Sequence, residues 1–148
     1  MERDVEVVVR IPAGVRPGDV IKFSGRGLPG VNLPPGDLYV EIRQLHHPRF
    51  TRHGNDLMTE KVVSLADFLT GASFKIDVPG HGEVDVQVPK GTQPGTDVSV
   101  IGAGVKDMRN DMYGDLKARI QVRFPSQVTA RGHLLMEELA HELRKRRE

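Results

Sequence analysis

Two acids sit at matching places in this chain. Asp37 lies between Gly36 and Leu38, and Asp115 lies between Gly114 and Leu116. Two carboxylates facing each other across a cleft are the machinery of glycoside hydrolysis, provided a few ångströms separate them. The same Gly-Asp-Leu triplet also suits a turn, where the acid accepts a nearby backbone N–H before a strand begins. That local role needs no convergence of distant residues and is the simpler reading. Among the histidines, His46 and His47 adjoin Pro48, and His133 and His141 lie near the C-terminus. No His-Glu-x-x-His pair or three-ligand spacing accompanies them, so they read as solvated or locally bonded imidazoles rather than metal ligands. The chain has no cysteine, which excludes disulfides, thiolate catalysis and Cys-built zinc or iron–sulfur centres for these residues. Gly25-Arg26-Gly27 and Gly102-Ala103-Gly104 look like pieces of phosphate loops but lack the strand-to-helix context of one. They read as turn glycines. No serine stands in a nucleophile elbow.

Binding chemistry is bounded by charge. Lys and Arg number 21 and Asp and Glu 20, a formal net charge of +1. That balance argues against a binder of nucleic acid by bulk charge. The dense basic run is Arg144 to Arg147, with a smaller cluster at Arg49, Arg52 and His53. Aromatics make up 5% of the chain and do not alternate with the basic residues, so no base-stacking platform is expected. The basic run reads as a charged helix end. Apolar runs are too short to cross a membrane, and Met1-Glu2-Arg3-Asp4 is not followed by the apolar core of a signal peptide.

The elements that would position any site come from an internal repeat. Ile11-Pro12-Ala13-Gly14-Val15-Arg16-Pro17-Gly18 recurs as Val88-Pro89-Lys90-Gly91-Thr92-Gln93-Pro94-Gly95. Gly25-Arg26-Gly27 meets Gly102-Ala103-Gly104 at the same offset. Gly36-Asp37-Leu38 meets Gly114-Asp115-Leu116 one residue later. Three matches in one order mark two copies of one unit. Gly 16 and Pro 10 supply many turns, and frequent valine favours strands.

Alternation then predicts the strands. Val5, Val7, Val9 and Ile11 form the first, which Pro12 ends because it lacks an N–H. Pro17-Gly18 turns the chain, Val20 to Phe23 returns as a strand, residues 25–35 loop, and Leu38, Val40 and Ile42 alternate again. Leu57 to Val63 reads as a strand. Ser64-Leu65-Ala66-Asp67 is a helix start with an acid three residues after its cap, and Gly71 suits the C-terminal cap of a helix of about two turns. Phe74 to Val78 resumes as a strand. Val84, Val86 and Val88, then Val98 and Val100, then Leu116, Ala118, Ile120 and Val122 complete the second copy. From Thr129, a residue type suited to the N-cap, the pattern becomes helical, with Leu135, Leu139 and Leu143 recurring every four residues beside Met136 and Ala140. A terminal helix with such a stripe needs a cover, from its own domain or from a second chain. The fold class is therefore mainly β: two tandem sandwich or partly open barrel domains, a short helix in the second, and a C-terminal helix.

The ordered motifs resemble a known family. Val9-Arg10-Ile11-Pro12-Ala13-Gly14-Val15, Gly18-Asp19, Gly36-Asp37-Leu38-Tyr39-Val40 and the run His47-Pro48-Arg49-Phe50-Thr51-Arg52-His53-Gly54-Asn55-Asp56-Leu57 are similar to the C-terminal region of DnaJ-family (J-domain) co-chaperones. The likeness continues through Leu69-Thr70-Gly71, Val88-Pro89, Gly91-Thr92-Gln93-Pro94-Gly95, Gly102, Gly104-Val105 and Tyr113-Gly114-Asp115-Leu116. It implies two substrate-binding β-domains, with residues 1–55 the later part of the first and 56–128 the second, then a dimerisation helix over 129–148. Family members bind unfolded polypeptides and deliver them to a 70-kDa heat-shock ATPase, without hydrolysing ATP themselves. The family's activating His-Pro-Asp motif has no counterpart here, since Arg49 follows His47-Pro48. The zinc-binding region of one class would lie upstream of the point matching Val5, so the chain is expected to begin inside the first domain.

By motif position, the resemblance implies a client-peptide pocket at Val7 and Val40. It assigns Phe23 and Leu38 to positions that hold the ATPase's acidic C-terminal tail in some members. Ordinary core packing is the competing role for all four. Leu135, Met136, Leu139 and Leu143 are the implied dimer contacts. No metal or other cofactor, no nucleic acid and no membrane is implied, and the implied compartment is the cytoplasm or else an organellar matrix. The first domain should expose an unpaired sheet edge. Two alternatives stand: a purely structural and dimerising unit whose clients bind elsewhere, and a β-sandwich hydrolase in which Asp37 and Asp115 converge.

Overall fold

A computed structural model describes residues 6–27 and 34–145. Period-two alternation becomes strand in most of the segments where the sequence predicts it, and many turns fall where glycine adopts positive φ. The strands are β1 (Val20–Phe23), β2 (Leu38–Glu41), β3 (Thr51–His53), β4 (Asp56–Ser64), β5 (Ala72–Val78), β6 (Gly82–Val88), β7 (Asp97–Val100) and β8 (Leu116–Arg123). A short helix α1 (Leu65–Thr70) follows β4, and α2 (Ala130–Lys145) closes the chain. Both predicted caps form. The Ser64 hydroxyl accepts the Asp67 N–H at 3.2 Å, and the Thr129 hydroxyl accepts the Gly132 N–H at 3.0 Å. Gly71 ends α1 at φ 89°, a conformation that favours glycine.

The strands form three antiparallel or mixed sheets and no closed barrel. β1 pairs with β2, β5 pairs with β6, and a four-stranded sheet runs β3-β4-β8-β7. In that sheet β4 and β8 are parallel, in register from Leu57 opposite Leu116 to Ser64 opposite Arg123. The inward side chains of β4 and β8 pack on the β5–β6 hairpin. Leu116, Ala118, Ile120, Val78, Val86 and Val88 form the buried centre, with Leu57, Val63, Phe68 and Phe50 around it. This is an open β-sandwich with α1 against one end. Among the described residues, the buried core lies between Phe50 and Ile120. Phe50 and β3 precede residue 56 yet pack within this second unit.

The repeat survives as matched hydrogen bonds. Gly18 N–H donates to Ile42 O at 2.8 Å, and Gly95 N–H to Ile120 O at 2.7 Å. Ile42 N–H returns to Asp19 O at 2.8 Å, and Ile120 N–H to Thr96 O at 2.9 Å. Gly27 N–H reaches Gly36 O, and Gly104 N–H reaches Gly114 O, both at 2.8 Å. The two units share one framework of turn hydrogen bonds.

One predicted strand does not form as such. Residues 6–11 alternate between exposed and half-buried as far as Arg10 but enter no ladder. Alternation decides which side chains share a face; a strand also needs a hydrogen-bonded neighbour, and none pairs with this segment among the described residues. Val5, residues 28–33 of the predicted loop, and Arg146 and Arg147 of the basic run lie outside the described residues.

Candidate functional site

The paired acids do local work. The Asp37 carboxylate accepts the Gly25 N–H at 3.2 Å and pairs with Lys22 at 3.3 Å. The Asp115 carboxylate accepts the Gly102 N–H at 3.0 Å. Each closes the loop of its own unit, as the turn reading expects.

Of the four implied client residues, β1–β2 pairing brings three together. Phe23 stands opposite Leu38, and Val40 stands opposite Ile21. These positions share one face of a two-stranded sheet, and all four are half-buried. Val7 is also half-buried but is not paired into that sheet. Val40 borders a cavity of about 770 Å³ with Ile11, Val15, Ile42, Leu45 and Arg52. Ile21 and Ile42 belong to the same face or cavity and were not singled out from the sequence. Their signal was present, because both keep the period-two spacing that puts Ile21 on one face with Phe23 and Ile42 on one face with Val40.

The internal repeat calibrates how open this face is. Leu38 and Val40 on β2 match Leu116 and Ala118 on β8, which are 0% exposed. β8 is enclosed because β4 runs along one side, β7 along the other, and the β5–β6 hairpin covers its face. β2 has only β1, so among the described residues its other edge carries unpaired backbone groups.

A second apolar surface lies on α2, which has no buried residue. Leu135 is 50%, Leu139 45% and Leu143 62% exposed. Met136 and Leu139 also border a groove of about 930 Å³ with Leu65, Leu69, Phe124 and Val128.

Within the basic cluster at Arg49, Arg52 and His53, the Arg52 side chain is committed to backbone carbonyls. The Arg52 guanidinium donates to the carbonyls of Val15 at 2.6 Å, Gly54 at 2.8 Å and Gly14 at 3.3 Å. Partial burial, then the nearby Arg16, lowers its pKa, while Asp19 opposes the shift. His47 accepts the Arg49 N–H through Nδ1 at 3.0 Å and meets the Phe50 ring edge-on. His81 bonds the Gly104 carbonyl through Nε2 at 2.6 Å against the Tyr113 ring. Asn55 Nδ2 donates to Asp107 at 3.1 Å, and the Asn55 backbone carbonyl accepts the Val105 N–H at 2.7 Å. The run from Phe50 to Leu57 is thus a structural junction, with Phe50 and Leu57 buried at either end.

The sequence that folds into this half-open sheet and its repeated unit is matched by a family model. The DnaJ C terminal domain model covers residues 1–125. The chain belongs to the DnaJ C-terminal domain family. Its similarity to whole DnaJ proteins is even across relatives. It is 40% identical over 135 residues to the Chaperone protein DnaJ of Thermosipho africanus, covering 90% of this chain and 36% of that protein. It is 40% identical over 140 residues to the Chaperone protein DnaJ of a Janthinobacterium species, covering 93% and 37%. The Chaperone protein DnaJ of Xylella fastidiosa is 40% identical over 131 residues, covering 88% and 35%. The chain spans little more than a third of the length of these curated DnaJ relatives. The DnaJ C-terminal region is thus the part of a chaperone to which this chain corresponds. Among its described residues no helix is long and apolar enough to cross a membrane.

Proposed function

We propose that this chain is the polypeptide-binding and dimerising part of a DnaJ-type co-chaperone, acting without catalysis in the cytoplasm or an equivalent compartment. An extended, non-native client lies along the first unit and places one or two apolar side chains against Val7, Val40 and their neighbours. Strand addition supplies sequence-independent hydrogen bonds, and the pocket supplies the preference for apolar residues. Phe23 and Leu38, on the same face, take the acidic tail of the 70-kDa heat-shock ATPase to which clients pass. The second unit is a closed structural copy, and α2 joins two chains through Leu135, Met136, Leu139 and Leu143.

The chief support is the contrast within the repeat: Leu38 and Val40 are half-open where Leu116 and Ala118 are sealed. Burial of apolar surface contributes about 25 cal/mol per Å² before ordering costs, so one small site binds weakly. Two sites on a dimer raise avidity without new contacts. The test is titration of a fluorescent apolar peptide, followed by anisotropy, with Val40→Asp and Leu116-preserving controls on the same chain. Binding by the parent and loss with Val40→Asp is expected. No binding by the parent would favour a purely structural and dimerising unit, and unchanged binding by Val40→Asp would move the site elsewhere.

A further inference from the structure

We propose that Arg52 and Gly14 form a latch that fixes the angle between the two repeat units. Arg52 belongs to β3 in the sheet of the second unit, yet two of its three carbonyl acceptors, on Gly14 and Val15, belong to the 12–18 turn of the first. The third, on Gly54, holds the side chain in line with its own turn. A planar guanidinium with several fixed donors is suited to gripping adjacent carbonyls, where an ammonium would be a point charge. The grip is partly desolvated, since Arg52 is half-buried and its bonds to Val15 and Gly14 are part-buried, in line with the lowered Arg52 pKa.

Gly14 closes the latch from the other side. A Cβ at this position would collide with the backbone carbonyl of Lys106 and approach Met108, both in the second unit. The first unit's turn therefore lies directly on the 105–108 loop. Around it, Arg16 and Asp19 face Asp107 and Arg109 across a cavity of about 300 Å³. The Asn55 bonds to Asp107 and Val105 brace that loop from the junction. Two units of one chain joined at such a junction move relative to one another unless something fixes them. A guanidinium bonded to both sides makes the difference.

The repeat provides its own control. Gly91 matches Gly14, has the same φ of 89°, and has nothing within 4 Å of an added Cβ. Alanine at either position strains the turn equally, but only at Gly14 does it strike the other unit.

The absence of native cysteine allows a clean distance measurement. Glu41→Cys and Glu83→Cys place one spin label on an exposed position of each unit in the whole chain. The labelled chain is diluted with unlabelled chain so that only intramolecular distances are read by pulsed electron resonance. The parent is expected to give one narrow distribution. Arg52→Gln should lose that single narrow peak, Arg52→Lys should retain part of it, and Gly14→Ala should shift or broaden it where Gly91→Ala does not. Circular dichroism on each variant confirms that the second unit is folded. If Arg52→Gln unfolds it, the glycine pair decides the matter. A parent-like distribution in folded Arg52→Gln, or equal effects of Gly14→Ala and Gly91→Ala, would overturn the latch.

Discussion

Asp115 donates its backbone N–H to the Asp56 carboxylate at 2.8 Å, while its own carbonyl accepts the N–H of Leu57 at 2.9 Å. The first residue of β4 and the residue before β8 thus clasp each other at the start of the parallel ladder. Asp56 also pairs with Lys117 at 3.6 Å. Removing the carboxylate orphans a part-buried donor, so Asp56→Ala should lose roughly 1–3 kcal/mol. Asp56→Asn keeps an oxygen acceptor and should lose less. Urea unfolding followed by circular dichroism measures both, and equal midpoints for parent and Asp56→Ala would contradict the assignment.

The matched leucines of the repeat should differ in cost. Leu116 is sealed, so Leu116→Ala leaves a cavity and should destabilise by about 2–5 kcal/mol. Leu38 is half-buried, and Leu38→Ala should cost less than about 1.5 kcal/mol, mainly lost transfer energy. Denaturant midpoints decide this, and equal losses would show that the first unit is covered as fully as the second.

Asp107 should contribute to stability in a pH-dependent way. The Arg109 backbone N–H is the main cause that holds its pKa below the ordinary 3.8. A depressed folded pKa means that the contribution is complete above the unfolded value and disappears as pH falls through the folded one. Asp107→Asn should therefore be less stable than the parent at pH 7, with the gap closing in acid. A gap of the same size at neutral pH and at about pH 2 would exclude the carboxylate as its source.

The α2 stripe should carry self-association. Leu139→Asp places a charge within the exposed Leu135–Leu143 face and should convert dimers to monomers in sedimentation velocity, leaving the second unit's core unchanged. A dimer that persists at the same concentration would remove these residues from the interface.

Much of the fold was legible because its signals are local. Ser64 with Asp67, and Thr129 before an apolar period of four, announce two helix starts through chemistry contained in four residues. Val84-Val86-Val88 and Leu116-Ala118-Ile120 announce inward faces by spacing alone. The turn role of Asp37 and Asp115 follows from the glycines beside them. Partnership was not legible. Nothing near β4 says that it runs parallel to β8, and nothing in Val7-Val8-Val9 says whether a neighbour is there to pair with. The role of Arg52 was hidden for the same reason: the sequence shows it only in a basic cluster with Arg49 and His53, while two of its three acceptors lie on a turn far back in the chain. The candidate pocket was named by resemblance, and its alternation was visible, but the half-open state of Leu38 and Val40 needed the comparison with β8.

The parallel β4–β8 ladder also sets an order of events during translation. β4 leaves the ribosome with Leu57 and Val63 already presented, but its partner ends only at Arg123. Between them come α1, the hairpin and β7, so the central sheet cannot close until synthesis has passed Arg123. Closure over so long a separation is slow and leaves an apolar strand uncovered meanwhile. The nascent chain of this chaperone-family region is thus, for a time, the kind of polypeptide that chaperones shield.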